Sequence, residues 1–89
     1  MNQLVSCTET SRYNTKENVL RNNRHIKLWE NGVFEVYEIR TAYRYVVVVV
    51  NNEASARYNY TVSGLSTQIV EVKNEAWKRI KEYMGGRQS

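Results

Sequence analysis

The chain predicts an α+β fold: a four- to five-stranded, mainly antiparallel meander, crossed by one C-terminal amphipathic helix and preceded by a polar N-terminal arm. Three observations carry that prediction. The run Tyr43-Arg44-Tyr45-Val46-Val47-Val48-Val49-Val50 is a strand too apolar to face water on either side. Segments of period two flank it, separated by the turn-forming pairs Asn31-Gly32 and Asn51-Asn52. Near the C-terminus Ala76, Trp77, Ile80, Tyr83 and Met84 share one face at helical spacing.

Each element has its own local reason. Residues 1–23 are polar and rich in Asn, Thr and Ser, and form the arm. Within it Asn14-Thr15-Lys16-Glu17 has the form of a capping box, which predicts a short helix over about residues 15–22. From Arg24 the period becomes two: Ile26 and Leu28 alternate with Lys27, and the pattern resumes over residues 33–39. Asn31-Gly32 between them accepts the positive φ values of a type I′ turn and predicts a hairpin. The valine strand follows after a break at Arg40-Thr41-Ala42. Residues 57–63 form a further strand, with Tyr58, Tyr60 and Val62 on one face and Arg57, Asn59, Thr61 and Ser63 on the other.

Residues 66–73 read as strand or helix. Lys73 favours a break, because on a continuous helix its charge would project from the middle of the apolar stripe. Asn74 is then the N-cap of a helix over 75–84, ended by Gly85-Gly86, with 87–89 as a flexible tail. The ordered domain spans 24–86.

A helix of ten residues is about 15 Å long and covers only part of one sheet face. The valine strand is apolar on both. Its second face requires the N-terminal segment, curling of the sheet or a second copy of the chain, and a homodimer or strongly curled sheet is expected.

At 89 residues there is room for one small core. The single Cys7 forms no intramolecular disulfide, proline is absent, and all nine acidic residues are Glu. His25 stands alone without a second ligand at metal spacing, so no metal or other cofactor is expected. No nucleophile elbow, phosphate loop or glycine-rich fingerprint is present, which points away from an enzyme. With no signal-peptide pattern and no apolar run of about 18 residues, a soluble cytoplasmic protein without membrane contact is expected.

The net charge is +4, and it is concentrated at the two ends of the chain. Lys78, Arg79 and Lys81 lie on the C-terminal helix, where phosphate contact competes with simple solvation through the i,i+4 pairs Glu75–Arg79 and Lys78–Glu82. Tyr43-Arg44-Tyr45 and Arg57-Tyr58-Asn59-Tyr60 interleave aromatic and basic residues, as in sheets that stack unpaired bases and hold phosphates. Tyrosine also favours strands regardless of function, and Tyr58 and Tyr60 share a face with Val62 as core candidates.

The segment from Val70-Glu71-Val72 through Asn74-Glu75-Ala76-Trp77 to Lys81 resembles the last strand and helix of the positive-cofactor-4-like single-stranded DNA-binding proteins. That resemblance implies an antiparallel sheet, a Trp-bearing helix and a dimer. The residues together point to a non-enzymatic nucleic-acid-binding module, with Arg44, Arg57, Lys78, Arg79 and Lys81 at phosphates and Tyr43 or Tyr45 stacking. The competing expectation is a small phage- or mobile-element-type inhibitor that docks on a host or defence protein through a strand edge, the hairpin or the arm.

Overall fold

The computed structural model describes residues 5–10, 15–53 and 58–88. Its strands are β1 (Ser6–Glu9), β2 (Ile26–Glu30), β3 (Phe34–Arg40), β4 (Arg44–Asn51) and β5 (Tyr60–Leu65), followed by the helix α1 (Ile69–Gln88). A short π-type helical segment, Thr15–Leu20, lies between β1 and β2. The strands form one sheet in the order β1-β5-β4-β3-β2, with every pairing antiparallel. The expected α+β meander is therefore present in β2 to β5. No described helix is long and apolar enough to cross a membrane.

Ser6–Glu9 corrects the expectation of an arm. It pairs with β5, Cys7 opposite Val62 and Thr8 opposite Thr61, and Thr10 N–H extends the ladder to the Asn59 carbonyl at 2.7 Å. Polar residues suit this position because an edge strand here needs only one inward side chain, and Cys7 supplies it between exposed Ser6 and Thr8.

The hairpin forms where expected, with different turn chemistry. Gly32 alone has a positive φ, 92°, so the turn is not type I′, which needs two. Asn31 instead uses its side chain, Oδ1 accepting from Val33 N–H at 3.0 Å and Phe34 N–H at 2.8 Å. A bulge between Lys27 and Trp29 then shifts the register of β2. Ile26 and Leu28, which alternate in sequence like core residues, are left exposed, and Trp29 takes the inward place against Trp77 at 4.9 Å.

α1 is longer than the sequence predicts and runs through Lys73-Asn74 without a break. It begins after Gln68, whose carbonyl accepts from Val72 N–H at 3.0 Å and whose side-chain Oε1 accepts from Leu65 N–H at 2.8 Å. Lys73 is half-buried within this continuous helix, and its positive charge helps to hold the carboxyl of Glu38 on β3 below its ordinary value. With Val70 to Val72 helical, the strand half of the resemblance to the single-stranded DNA-binding family is not met. Gly85-Gly86 does not end the helix either, since neither adopts the left-handed conformation that a glycine cap requires.

The two faces of β4 explain the valine run. Val47 and Val49 join Phe34, Val36, Tyr45, Tyr60 and Val62 under Val72, Ala76 and Ile80 of α1. Val48 and Val50 join Tyr37 and Ile39 on the second face, under Leu20 of the short helical segment. The N-terminal segment is thus what covers that face. Its last turn is closed by side chains, Asn22 Nδ2 donating to the Asn18 carbonyl at 2.8 Å and Asn23 Nδ2 to that of Val19 at 2.7 Å. Asn14, the proposed cap, lies outside the described residues.

Candidate nucleic-acid interface

The pairing registers bring four chain segments to one end of the sheet. Arg40 lies opposite Tyr45, Arg44 opposite Leu65 and Ile26 opposite Glu38, so β2 begins where β3 and β5 end and β4 begins. The β3–β4 turn is held by Thr41, whose N–H donates to the Arg44 carbonyl and whose Oγ1 accepts from Arg44 N–H, both at 3.0 Å. Ser66 N–H donates to the Tyr43 carbonyl at 2.9 Å, tying that turn to the one leading into α1.

This end is basic. Arg24, Arg40 and Arg44 are exposed, Tyr43 is 80% exposed, and Lys73 stands half-buried on the helix side. Arg40 belongs to the face under α1 and Arg44 to the opposite face, Arg24 lines the same cleft as Arg40, and Tyr43 stands at the turn between Arg40 and Arg44. Among the described residues neither Arg24 nor Arg44 has an acidic partner; Arg44 Nη2 donates to Ser63 Oγ at 3.0 Å. The acids of this end are Glu71, exposed in the first turn of α1, and Glu38, which is buried.

Glu38 is the centre of a small network. Oε1 accepts from Tyr45 Oη at 2.7 Å and Oε2 from Arg40 Nε at 3.0 Å. Burial pushes its carboxyl upward, but those two hydrogen bonds and the charges of Arg40 and Lys73 outweigh it and hold the group below its ordinary value. The Arg40 guanidinium also lies 5.5 Å from the centre of the Tyr45 ring. Arg24, His25, Ile26, Glu38 and Arg40 line a cleft of about 330 Å³.

Of the residues the sequence singled out, Tyr43 and Arg44 lie at this end and are accessible. Tyr45 is not available for stacking: it is 1% exposed, because its place in β4 turns it under α1. Arg57 lies outside the described residues. Lys78, Arg79 and Lys81 are elsewhere, in the middle turns of α1. Arg79 Nη1 donates to Glu9 Oε2 at 3.0 Å, and its guanidinium sits 5.4 Å from the centre of the Tyr60 ring. Lys78 borders a groove shared with Glu9, Glu75, Arg79 and Glu82, where opposite charges compensate.

Arg24 and Lys73 belong to the basic ends of the chain that suit phosphate, but Arg40 and Glu38 were not legible as site residues, nor was the meeting of Arg24 with them. Counting back from Asn31-Gly32 in an unbroken ladder would put Ile26 opposite Ile39, on the other face. The bulge in β2 puts Ile26 opposite Glu38, and Arg24, just before it, lines one cleft with Glu38 and Arg40. Among the described residues no group of three or more His, Cys or Glu side chains is placed to hold a metal ion.

No protein-family model matches the chain, and neither a curated protein nor a solved structure matches it significantly.

Proposed function

We propose that the protein is a non-enzymatic nucleic-acid-binding module acting in the cytoplasm, with the basic end of its sheet as the contact surface. The observation that carries this reading is Tyr43, 80% exposed in the turn directly beside Arg44, at the end of the sheet where Arg40 and Arg24 line a cleft. A large aromatic ring held in water beside cations has no packing role, and it suits stacking on an unpaired base while the arginines hold phosphates. The helix cations Lys78 and Lys81 supply weaker, longer-range attraction.

Fluorescence anisotropy on labelled single-stranded and duplex oligonucleotides across a salt series tests the reading. Three phosphate contacts predict a log-log salt slope of about −2 on single strands. Arg24→Ala with Arg44→Ala is expected to flatten that slope by about 1.4 and weaken binding at least about tenfold, and Tyr43→Ala to weaken it about 5- to 100-fold. No binding at low salt, or binding indifferent to salt and to these substitutions, rejects it.

One observation favours a second reading, direct docking on a host or defence protein: Ile26 and Leu28 are exposed on β2, an edge strand open to augmentation. Retention of a protein partner from nuclease-treated extract, lost in Ile26→Ser, supports that reading over the first. The expected homodimer has a smaller basis than the valine run suggested, half-buried Val46 and the exposed Leu65 beside Arg44, and sedimentation velocity measures it directly.

A further inference from the structure

Phosphate binding leaves one feature of the basic end unexplained. A buried carboxylate, Glu38, forms part of the wall of a cleft otherwise lined by Arg24, Arg40, Ile26 and His25, and a negative charge there repels phosphate. Its surroundings keep it ionised, since Tyr45, Arg40 and Lys73 together overcome the effect of burial. An ionised carboxylate only accepts hydrogen bonds, with about two acceptor positions on each oxygen. Tyr45 Oη occupies one on Oε1 and Arg40 Nε one on Oε2, which leaves each oxygen a further position. The His25 ring is engaged elsewhere, with Nδ1 at 2.9 Å from the Asn23 carbonyl and a T-shaped contact with the Tyr37 ring at 5.4 Å.

Two adjacent acceptors require a partner with two adjacent donors. On the Watson–Crick edge guanine alone among the bases offers that pair, its ring N–H beside its exocyclic amine. Adenine and cytosine present one donor group next to an acceptor, and thymine and uracil present one N–H between two acceptors. A cleft of about 330 Å³ accommodates a single purine, and Ile26, 61% exposed at its wall, gives the ring an apolar surface.

We infer that the cleft reads one unpaired guanine of a bound strand, its donor edge on the Glu38 carboxylate, its face against Ile26 and its phosphates on Arg24 and Arg40. This rests on the nucleic-acid reading and makes it base-selective at one position. Lys73 and Tyr45 act through Glu38 and are positioning residues.

The test uses the full chain and a thymine-rich single-stranded 9-mer whose central base is guanine, inosine, adenine, cytosine or thymine. Guanine is expected to bind about tenfold tighter than adenine, cytosine or thymine, with inosine, which lacks the exocyclic amine, in between. Glu38→Gln is expected to abolish that ranking while thymine-only binding is kept or strengthened, because a repulsive charge has gone; a purely structural role would weaken all five alike. Near-UV circular dichroism of the Trp29–Trp77 pair reports whether the variant is folded, and the wild-type base series decides the matter if it is not. Equal affinity for the five strands with salt dependence intact overturns the guanine assignment and leaves the nucleic-acid reading standing. Absence of binding to all five removes both. Guanosine monophosphate that binds as tightly as the guanine strand overturns the assignment to a strand.

Discussion

Gly64 shows how closely a single residue is fitted. A Cβ added there would stand 2.8 Å from Gln68 Oε1 and 3.0 Å from Val72 Cγ2, the two side chains that start α1 and seat it on β5. Gly64→Ala is expected to lower the unfolding free energy by about 1–3 kcal/mol through overpacking, measured by urea denaturation. Glu35 is the residue most exposed to acid. Burial pushes its carboxyl up, but hydrogen bonds from Tyr37, Asn52 and Lys16 and the Lys16 charge bring it down to about 2. A carboxyl depressed below its unfolded value of about 4.3 contributes stability that is complete above that pH. That contribution is lost as the pH falls from about 4.3 toward 2, and Glu35→Gln is expected to flatten this part of the denaturation profile. Its Lys16 partner is 41% exposed, so salt weakens that part of the effect.

At the scale of elements, the short helical segment does more than its length suggests. Leu20 is 5% exposed and closes the second face of the sheet over Val48, Val50, Tyr37 and Ile39. Leu20→Ala is expected to cost about 2–4 kcal/mol, and dye binding to the uncovered valines reports the same loss. α1 teaches a different lesson. Lys73 lies in the apolar stripe, and periodicity alone therefore favours a break; the helix runs on instead, with Lys73 half-buried and its charge acting on the Glu38 carboxylate, far away in sequence. Lys73→Glu is expected to set two carboxylates against each other and destabilise the docked first turns of α1, seen as faster amide exchange at residues 72–76 than in the wild type.

Across the whole molecule the charges are polarised. Arg24, Arg40, Arg44 and Lys73 gather at one end of the sheet with Glu38 and Glu71. At the other end Glu30 and Glu35 are paired with Lys27 and Lys16 and Glu53 accepts from the Tyr83 hydroxyl at 3.0 Å, so the excess of positive charge lies at the first end. A strand approaching such a molecule is oriented before contact, because field and binding surface coincide. Stopped-flow association with a single-stranded oligonucleotide is expected to slow by about tenfold or more between 50 and 300 mM salt, since the Debye length shrinks below the separation of these groups. A variant with Lys78 and Lys81 changed to Ala keeps most of that dependence if the sheet end is the contact.

The antiparallel α+β plan, the hairpin at Asn31-Gly32, the two-sided burial of the valine strand and the apolar face of α1 follow from the order of residues along the chain. Each is written in local periodicity and turn residues that act over a few positions. Tertiary structure alone decided which side chains stand together. It recruited Ser6–Glu9 into the sheet, buried Tyr45 against Glu38, and through one bulge in β2 brought Arg24 to Arg40. It also let Lys73 remain in a continuous helix. Those outcomes depend on register and on charge pairs between residues distant in the chain, and a one-residue shift in pairing exchanges the faces of a strand without changing any local preference.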